Sequence, residues 1–176
     1  MSDHSVRPLV SIVIVNYNGG RFLKDCLPAL FSQTYRPFEV ILIDNNSSDD
    51  SVQYVTEHFP AVKLFPQTQN LGFAGGTNAG IRMSGGEFIL TINPDTTVQQ
   101  DFISELVGAM VSDQRTGMCA SKMILPDGRI NSAGICISRS GAAWDRGMEE
   151  QDTGQFNDPV QVFGPCGGAA LYRRSM

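Results

Sequence analysis

The chain has 176 residues, of which 41% are hydrophobic and 18% are charged, and its formal net charge is -5. This composition excludes a disordered or fibrous protein, and the length fits one domain with a sizeable core. The acidic balance argues against a nucleic-acid-binding protein, because a broad phosphate-binding face needs a surplus of Lys and Arg. We therefore expect one domain over residues 1–176, with residues 1–8 disordered.

The apolar runs are the length of strands. The run at residues 9–15 is far shorter than the roughly 20 residues that a membrane-spanning helix needs. No charged segment followed by an apolar one opens the sequence, so neither a signal peptide nor a membrane anchor is expected. The cysteines form no Cys-x-x-Cys pair, which disfavours a zinc ribbon and is typical of reduced thiols in the cytoplasm. They are Cys26, Cys119, Cys136 and Cys166.

Strand-like and helix-like segments alternate through the first two thirds of the chain. β-branched runs predict buried strands, and apolar residues spaced three and four apart predict helices. The predicted strands cover residues 9–15, 38–43, 62–65 and 88–92, and the predicted helices cover residues 22–31, 52–59, 75–83 and 100–111. This alternation implies right-handed crossovers, and hence an α/β fold with an open, mostly parallel twisted sheet and helices on both faces.

Several local features refine this prediction. Pro28 should bend or shorten the first helix, and Ser48 is a candidate N-cap for the second. The glycines within residues 70–80 weaken the third helix, and close approach of a ligand would explain them. The last third of the chain predicts short strands, an acidic glycine-rich loop at residues 140–158 and a final strand at residues 167–172.

Polar segments follow each of the four predicted strands. The carboxyl ends of parallel strands share one edge of a sheet, so these segments should converge on one ligand. Glycines admit a close ligand, and Asn and Asp supply short hydrogen-bonding groups. The segments are residues 16–19, 44–49, 70–78 and 93–95. They suit a nucleotide, but the chain has neither G-x-G-x-x-G after the first strand nor a P-loop lysine, so phosphates would need a metal ion.

In this order, the segments at residues 10–19, 40–51, 70–80 and 93–95 resemble those of the family-2 glycosyltransferases of the GT-A fold. The Asn45-Asn46 pair and the Gly-Phe-Ala-Gly-Gly run that starts at Gly72 are similar to the rhamnosyltransferase-type branch of that family. The resemblance covers nearly the whole chain. It implies a GT-A sheet that binds a nucleotide-diphospho-sugar.

The resemblance also implies roles for residues in each segment. Asn16 and Tyr17 would pack on the base and ribose, and Asp44 would read the edge of a pyrimidine. Asp95 matches the last carboxylate of the family's Asp-x-Asp motif, which implies binding of Mg²⁺ or Mn²⁺ at Asp95. The implied donor-binding residues are Asn16, Tyr17, Asn18, Asp44, Asn46, Ser47, Asp49, Gly72, Gly76, Asn78, Asn93 and Asp95.

The sequence departs from the family pattern at two places. Asn93 replaces the first carboxylate of the Asp-x-Asp motif, and an amide there would hydrogen-bond the donor or a metal-bound water. The family's general base lies in an acidic motif downstream of a strand similar to residues 167–174, and the sequence ends at Met176 before such a motif. We therefore expect this chain to be a C-terminally incomplete, donor-binding portion without its general base.

Other polar and aromatic residues near the C-terminal end have simpler interpretations. The acidic residues of the loop predict a solvated surface; they are Asp145, Glu149, Glu150, Asp152 and Asp158. Trp144 would either stack on a saccharide or serve as a partly buried anchor. Arg173 and Arg174 predict a solvated pair at a strand end.

The function implied is transfer of a sugar from dTDP-rhamnose or a UDP-sugar to an acceptor hydroxyl, by single inverting displacement, in cell-surface polysaccharide synthesis. The acceptor would be a saccharide or a lipid-linked saccharide. The implied location is the cytoplasm, with peripheral contact at the inner face of the membrane. Two alternatives remain: a nucleotide-sugar binding module without turnover, and a nucleotidyltransferase. The second usually carries an Arg- or Lys-bearing glycine loop after the first strand, which residues 16–20 lack.

Overall fold

The structure is a computed structural model that describes residues 7–176. Its helices are α1 (Gly20–Phe31), α2 (Ser51–His58), α3 (Gly72–Met83) and α4 (Phe102–Ser112). Its strands are β1 (Val10–Asn16), β2 (Phe38–Asp44), β3 (Lys63–Pro66), β4 (Phe88–Ile92), β5 (Met118–Ala120), β6 (Met123–Ile124), β7 (Ile130–Ser132), β8 (Ile135–Ile137), β9 (Ala143–Asp145) and β10 (Ala169–Arg173).

Six strands form the main sheet, in the order β3-β2-β1-β4-β10-β5. β1 pairs in parallel with β2 and β4, and β2 pairs in parallel with β3. β10 returns from the end of the chain and runs antiparallel between β4 and β5. The prediction of an open, mostly parallel sheet is confirmed. The antiparallel insertion was not predicted, because a short strand at the end of a chain carries no signal of its partners.

Helices cover both faces of the sheet, as predicted. Successive side chains of a strand point to opposite faces. Ile12 and Ile14 of β1 face a layer built by α1, α2 and α4, and this layer holds the larger core. Ile41 and Ile43 of β2 face α3, which builds the smaller core around Ala79.

The glycines of α3 allow the helix to lie unusually close to the sheet. A Cβ atom on Gly76 would stand 2.6 Å from Cγ1 of Val15, and one on Gly80 would overlap Cγ1 of Val13. Both glycines are buried. We expected ligand approach to explain these glycines, and this is wrong for Gly76 and Gly80. The side chains of β1 leave no room for a Cβ atom at either position.

Several helix boundaries differ from the prediction. α3 begins at Gly72, three residues before the predicted start. α2 begins at Ser51 with Asp50 at its N-cap, so Ser48 does not cap it. Pro28 lies within α1, which continues to Phe31 without a break, so it does not shorten the helix.

The residues after β5 form a smaller lobe with two hairpins, β6–β7 and β8–β9. β9 lies inside the segment predicted to be an acidic loop. Asp152 of that segment forms a half-buried ion pair with Lys122 (2.8 Å) rather than lying in solvent. Arg173 is half-buried and donates to the Met110 carbonyl (2.8 Å), so its predicted solvation is wrong, whereas Arg174 is exposed as predicted and donates to the Gly86 carbonyl (2.6 Å).

The expected disorder of residues 1–8 lies mostly outside the described residues and stays a prediction. Pro8 is described, and its carbonyl accepts a hydrogen bond from the Tyr35 hydroxyl (2.7 Å). Among residues 7–176, no helix combines the length and the apolar character needed to cross a membrane.

Because α3 packs closely on the sheet and α4 does not crowd Gly108, substitution by alanine should have opposite effects on stability at Gly80 and at Gly108. Gly80→Ala should destabilise the protein by about 1–3 kcal/mol, because the new methyl group overlaps buried Val13. Gly108→Ala is the matched control, since nothing lies within 4 Å of its Cβ position on the exposed side of α4. That substitution should stabilise the protein by about 0.5–1 kcal/mol. Urea unfolding measures both, and equal effects would contradict the packing role of Gly80.

Candidate functional site

A cleft of about 380 Å³ opens at the carboxyl edge of the sheet. It lies between the residues after β1, the first turn of α3 and the turn after β4. Of the predicted donor-binding residues, five line it: Tyr17, Asn18, Gly72, Asn93 and Asp95. The cleft also contains residues that were not predicted, among them Phe22, Asn45 and Phe73. All four of the polar segments that were predicted to converge therefore line the cleft, and the segment at residues 44–49 does so through Asn45.

The loops after β1 and β2 are joined by the carboxylate of Asp44. Its Oδ1 accepts hydrogen bonds from Asn16 Nδ2 (2.9 Å) and Ser47 Oγ (2.6 Å). Its Oδ2 accepts one from the Ser47 N–H (2.9 Å). Asp44 is only 2% exposed, so both oxygens serve the loops. The expectation that Asp44 reads a base is not supported by this geometry, and neither Asn16 nor Ser47 lines the cleft.

A second set of bonds fixes the tips of the same loops. Asn18 has a φ of 53° and Asn46 a φ of 65°, a left-handed conformation that Asn tolerates. The Asn18 N–H donates to Ser47 Oγ (2.9 Å), and Asn18 Oδ1 accepts from the Ser48 N–H (2.8 Å). Asn46 is exposed at its tip and does not line the cleft. Its role is therefore to turn the chain, so that Asn18 is held beside the cleft.

The N-terminus of α1 is occupied by a carboxylate of the protein itself. Asp49 Oδ2 accepts a hydrogen bond from the Gly20 N–H (2.9 Å), and Oδ1 accepts from Ser51. Burial tends to raise the pKa of Asp49, but the bonds from Ser51 and Gly20 outweigh it and lower that pKa. An ionised Asp49 therefore neutralises this helix end. Asp49 supports the loop, and α1 does not offer its first turn to a phosphate.

Asn45 is the cleft residue that the sequence interpretation missed. It is 2% exposed, and its Nδ2 donates to the carbonyl of Gly72 at the start of α3 (3.0 Å). Its Oδ1 is buried and has no partner among the described residues. Because neighbouring residues of an extended chain point to opposite sides, an inward Asp44 implies a cleft-facing Asn45. This alternation of side-chain directions could have identified Asn45 as a cleft residue from the sequence.

Asp95 lies in the turn that follows β4. The Thr96 N–H donates to the Asn93 carbonyl (3.2 Å), and the Asn93 N–H donates to the Gly168 carbonyl before β10 (2.9 Å). The Asp95 side chain is exposed and has no hydrogen-bonding partner within residues 7–176. Below the turn, burial and the nearby charge of Asp95 raise the pKa of Cys26 to about 12, so this thiol stays protonated.

The donor set at Asp95 limits the kind of metal that would fit. No group of three His, Cys, Asp or Glu side chains within the described residues could hold a metal ion. A single exposed carboxylate suits Mg²⁺ or Mn²⁺, which take oxygen ligands and can complete their shell with phosphates and water. Among residues 7–176, Asp95 is also the only charged residue that lines the cleft. The site therefore fits a metal that arrives with a diphosphate, and no Lys or Arg there would replace it.

Two predicted residues of α3 lie outside the cleft. Gly76 is buried against Val15, and Asn78 is exposed elsewhere on the helix. Gly72, by contrast, lies on the cleft with a φ of 70°, and its N–H donates a hydrogen bond to Asn70 Oδ1 (2.8 Å). The helix thus contributes its first turn to the site and its later glycines to packing.

The chain is similar in sequence to several curated glycosyltransferases. GlyG, a glycosyltransferase of Streptococcus pneumoniae, is 32% identical over 101 residues, which are 56% of this chain and 34% of GlyG. The N-acetylglucosaminyl-diphospho-decaprenol L-rhamnosyltransferase of Mycobacterium tuberculosis is 29% identical over 133 residues, 69% of this chain and 43% of that enzyme. The chain thus spans less than half the length of these curated relatives.

Solved structures share the fold. The mannosyltransferase PcManGT of Pyrobaculum calidifontis, solved with GDP-Man and Mn²⁺, has a TM-score of 0.68 and 19% identity over 97% of this chain and 46% of its own. TarS 1-349 of Staphylococcus aureus, solved with UDP-GlcNAc, has a TM-score of 0.61 and 22% identity over 68% of this chain and 36% of its own. The glycosyl transferase family 2 profile matches residues 11–176. The cleft thus lies in the GT-A fold, and the chain belongs to glycosyl transferase family 2.

Proposed function

We propose that this chain binds a nucleotide-diphospho-sugar and takes part in transferring the sugar to an acceptor hydroxyl by a single inverting displacement. The observation that carries the proposal is the position of Asp95, an exposed carboxylate with no hydrogen-bonding partner within residues 7–176, which lines the same cleft as Tyr17 and Asn45. The preferred donor is dTDP-rhamnose or a UDP-sugar. The relatives that transfer rhamnose by name, or were solved with UDP-GlcNAc, support this choice.

The order of strands suggests how the donor lies. Strands β2, β1 and β4 are neighbours, so the ends of β2 and β4 are about 10 Å apart. Asn45 follows β2, Tyr17 follows β1 and Asp95 follows β4. We place the base at Asn45 and α3, the ribose near Tyr17 and the diphosphate at Asp95. The sugar then points toward Gly168 and the smaller lobe.

The chemistry at the diphosphate end explains the need for Asp95. Breaking the bond between sugar and diphosphate develops negative charge on phosphate oxygens and gives the sugar oxocarbenium character. A bound Mg²⁺ or Mn²⁺ would neutralise that charge. Asp95 would hold the metal, and the amide of Asn93 would hydrogen-bond the diphosphate or a metal-bound water. The absence of Lys and Arg from the cleft lining makes this single carboxylate the decisive residue.

At the base end, we assign recognition to Asn45 rather than Asp44. The Oδ1 of Asn45 has no partner and would accept the N3–H of uracil or thymine. Cytosine has no hydrogen at N3, so it would leave this oxygen unpaired. The exposed ring of Tyr17 would stack on the base or ribose. Asp44 is then a positioning residue, which acts through the loops that carry Tyr17 and Asn45.

The acceptor in this proposal is a saccharide carried on a lipid diphosphate, used in cell-surface polysaccharide synthesis. The name of the Mycobacterium tuberculosis relative, which includes a diphospho-decaprenol acceptor, supports this class. Such an acceptor lies in a membrane, and nucleotide sugars are made in the cytoplasm. We therefore propose peripheral contact with the inner face of the membrane.

Removal of the Asp95 carboxylate should abolish metal-dependent binding of UDP. Asp95→Ala should weaken UDP binding in Mn²⁺ by roughly a hundredfold, measured by calorimetry, because the metal loses its protein ligand. Thermal stability should change little, since the side chain is exposed. Asp25→Ala, an exposed site on α1 outside the cleft, is the control. Unchanged UDP affinity in Asp95→Ala would refute the proposal, and UDP binding without any transfer to acceptors would favour the binding module.

Asn45→Ala should weaken binding of UDP by about tenfold and reduce the preference for UDP over CDP. The physical reason is loss of Asn45 Oδ1, a buried acceptor that has no partner among the described residues. The family resemblance implies that Asn78 also binds the donor, and Asn78→Ala tests this. Because Asn78 lies outside the cleft lining, we expect the Asn78→Ala variant to bind UDP normally. Calorimetric titrations with UDP and CDP measure both variants, and a UDP preference that survives in Asn45→Ala would contradict the assignment.

Asp44→Ala should act on stability. The free energy of unfolding should fall by about 2–3 kcal/mol, because Asn16 and Ser47 would be left with buried, unpaired donors. Asp50→Ala is the control, since its exposed ion pair with Lys24 should contribute less than about 1 kcal/mol. Urea unfolding tests this pair of variants. Equal losses of stability in the two variants would contradict the inference that the hydrogen bonds of Asp44 hold the two loops together.

A further inference from the structure

Trp144 lies half exposed on the β8–β9 hairpin, and neither the core nor the donor cleft uses it. It is the only tryptophan in the chain and is 52% exposed. Cys136 is its direct partner across the ladder, so both side chains lie on one face of the hairpin. Next to the two strands, the Arg146 N–H donates to the Gly134 carbonyl (2.8 Å) and the Ala133 N–H donates to the Arg146 carbonyl (2.9 Å). We call the face that carries Gly134, Cys136, Trp144 and Arg146 the Trp144 face.

The residues beside Trp144 leave its ring partly uncovered. Its direct partner Cys136 has a short side chain, and Trp144 is 52% exposed. Val162 packs over Gly134, where a Cβ atom would stand 2.8 Å from Val162 Cγ1. The guanidinium carbon of Arg146 lies 4.3 Å from the centroid of the Phe156 ring. Arg146 also lines a groove of about 950 Å³ between α4, β5 and residues 156–165. The face therefore joins an open aromatic ring to a groove with a cationic donor at its edge.

The hairpin is tied to the donor cleft by a short piece of chain. The Ile135 N–H donates to the Gly164 carbonyl (2.8 Å), and Gly168 accepts a hydrogen bond from the Asn93 N–H in the turn of Asp95 (2.9 Å). The four Cα–Cα steps from Gly164 to Gly168 span at most about 14 Å. The hairpin therefore lies beside the end of the cleft toward which the donor sugar points in the proposed function. A short oligosaccharide covers that separation.

The charges of the smaller lobe favour a saccharide over an anionic membrane as the occupant. Residues 118–165 contain four Lys or Arg and six Asp or Glu. An anionic bilayer attracts basic segments, and this lobe is acidic. An uncharged sugar ring has an apolar C–H face that packs on an aromatic ring and hydroxyl groups that accept from an Arg.

We propose that the Trp144 face is a subsite for the acceptor, which binds a sugar unit of the acceptor beyond the one that receives the transferred sugar. The proposal rests on the proposed function, because that function determines where the reacting hydroxyl of the acceptor lies. It assigns a substrate class: a saccharide of more than one unit. A monosaccharide would not reach both the diphosphate and the hairpin.

The lone tryptophan makes the test direct. N-Acetylglucosamine and its β1,4-linked trimer are titrated into the protein while Trp144 emission is recorded. The trimer should give a saturable change at concentrations at which the monosaccharide gives none. By calorimetry, Trp144→Ala should bind the trimer about tenfold more weakly. Ile137→Ala is the matched control, because Ile137 is an exposed apolar residue on the opposite face of the same hairpin and should bind the trimer normally.

Three results would overturn the subsite: emission that the trimer leaves unchanged, equal trimer binding by Trp144→Ala and the unmutated protein, or an emission change with phosphatidylglycerol vesicles in place of the trimer. UDP binding in Mn²⁺ is measured on the same samples and should be equal in the unmutated protein and both variants. If UDP fails to bind the unmutated protein while the trimer titration succeeds, the proposed function falls and the saccharide subsite stands.

Discussion

The cleft depends on the buried carboxylate of Asp44, whose hydrogen bonds connect the ends of β1 and β2. The carboxylate accepts hydrogen bonds from the loop after β1, through Asn16, and from its own loop, through Ser47. A carboxylate that accepts several bonds in a buried setting is costly to disturb, because each donor would be left without a partner. The two loops therefore behave as one rigid piece, and Tyr17 and Asn45 keep a fixed separation.

The close contact between α3 and β1 provides the second constraint. Gly76 and Gly80 let the helix approach Val15 and Val13, and the helix start then reaches Asn45 through the carbonyl of Gly72. A larger residue at either glycine would lift the helix from the sheet and open this end of the cleft. Packing far from the ligand thus sets the distance between α3 and the β2 loop. The same glycine-rich segment serves stability in its later turns and the site in its first turn.

The fold could be predicted from the sequence because each strand and helix carries its own period. The strand runs at residues 9–15 and 38–43 and the helix at residues 100–111 needed no tertiary information. The site was predicted less completely. The polar loops and Asp95 were found, but which of Asp44 and Asn45 faces the cleft depends on the direction of a side chain. The antiparallel position of β10 was not predictable either, since it depends on partners distant in sequence.

The position of β10 also has a consequence for the order in which the protein is completed. β5 joins the main sheet through β10, and the turn that carries Asp95 is bonded to Gly168 just before β10. During synthesis the first four strands emerge long before residues 168–173, and non-local pairings form late. The side of the cleft built by β1, β2 and α3 can therefore take shape first. The turn that carries Asp95 acquires its bond to Gly168 only after residue 168 has been synthesised, so the opposite side of the cleft is completed later.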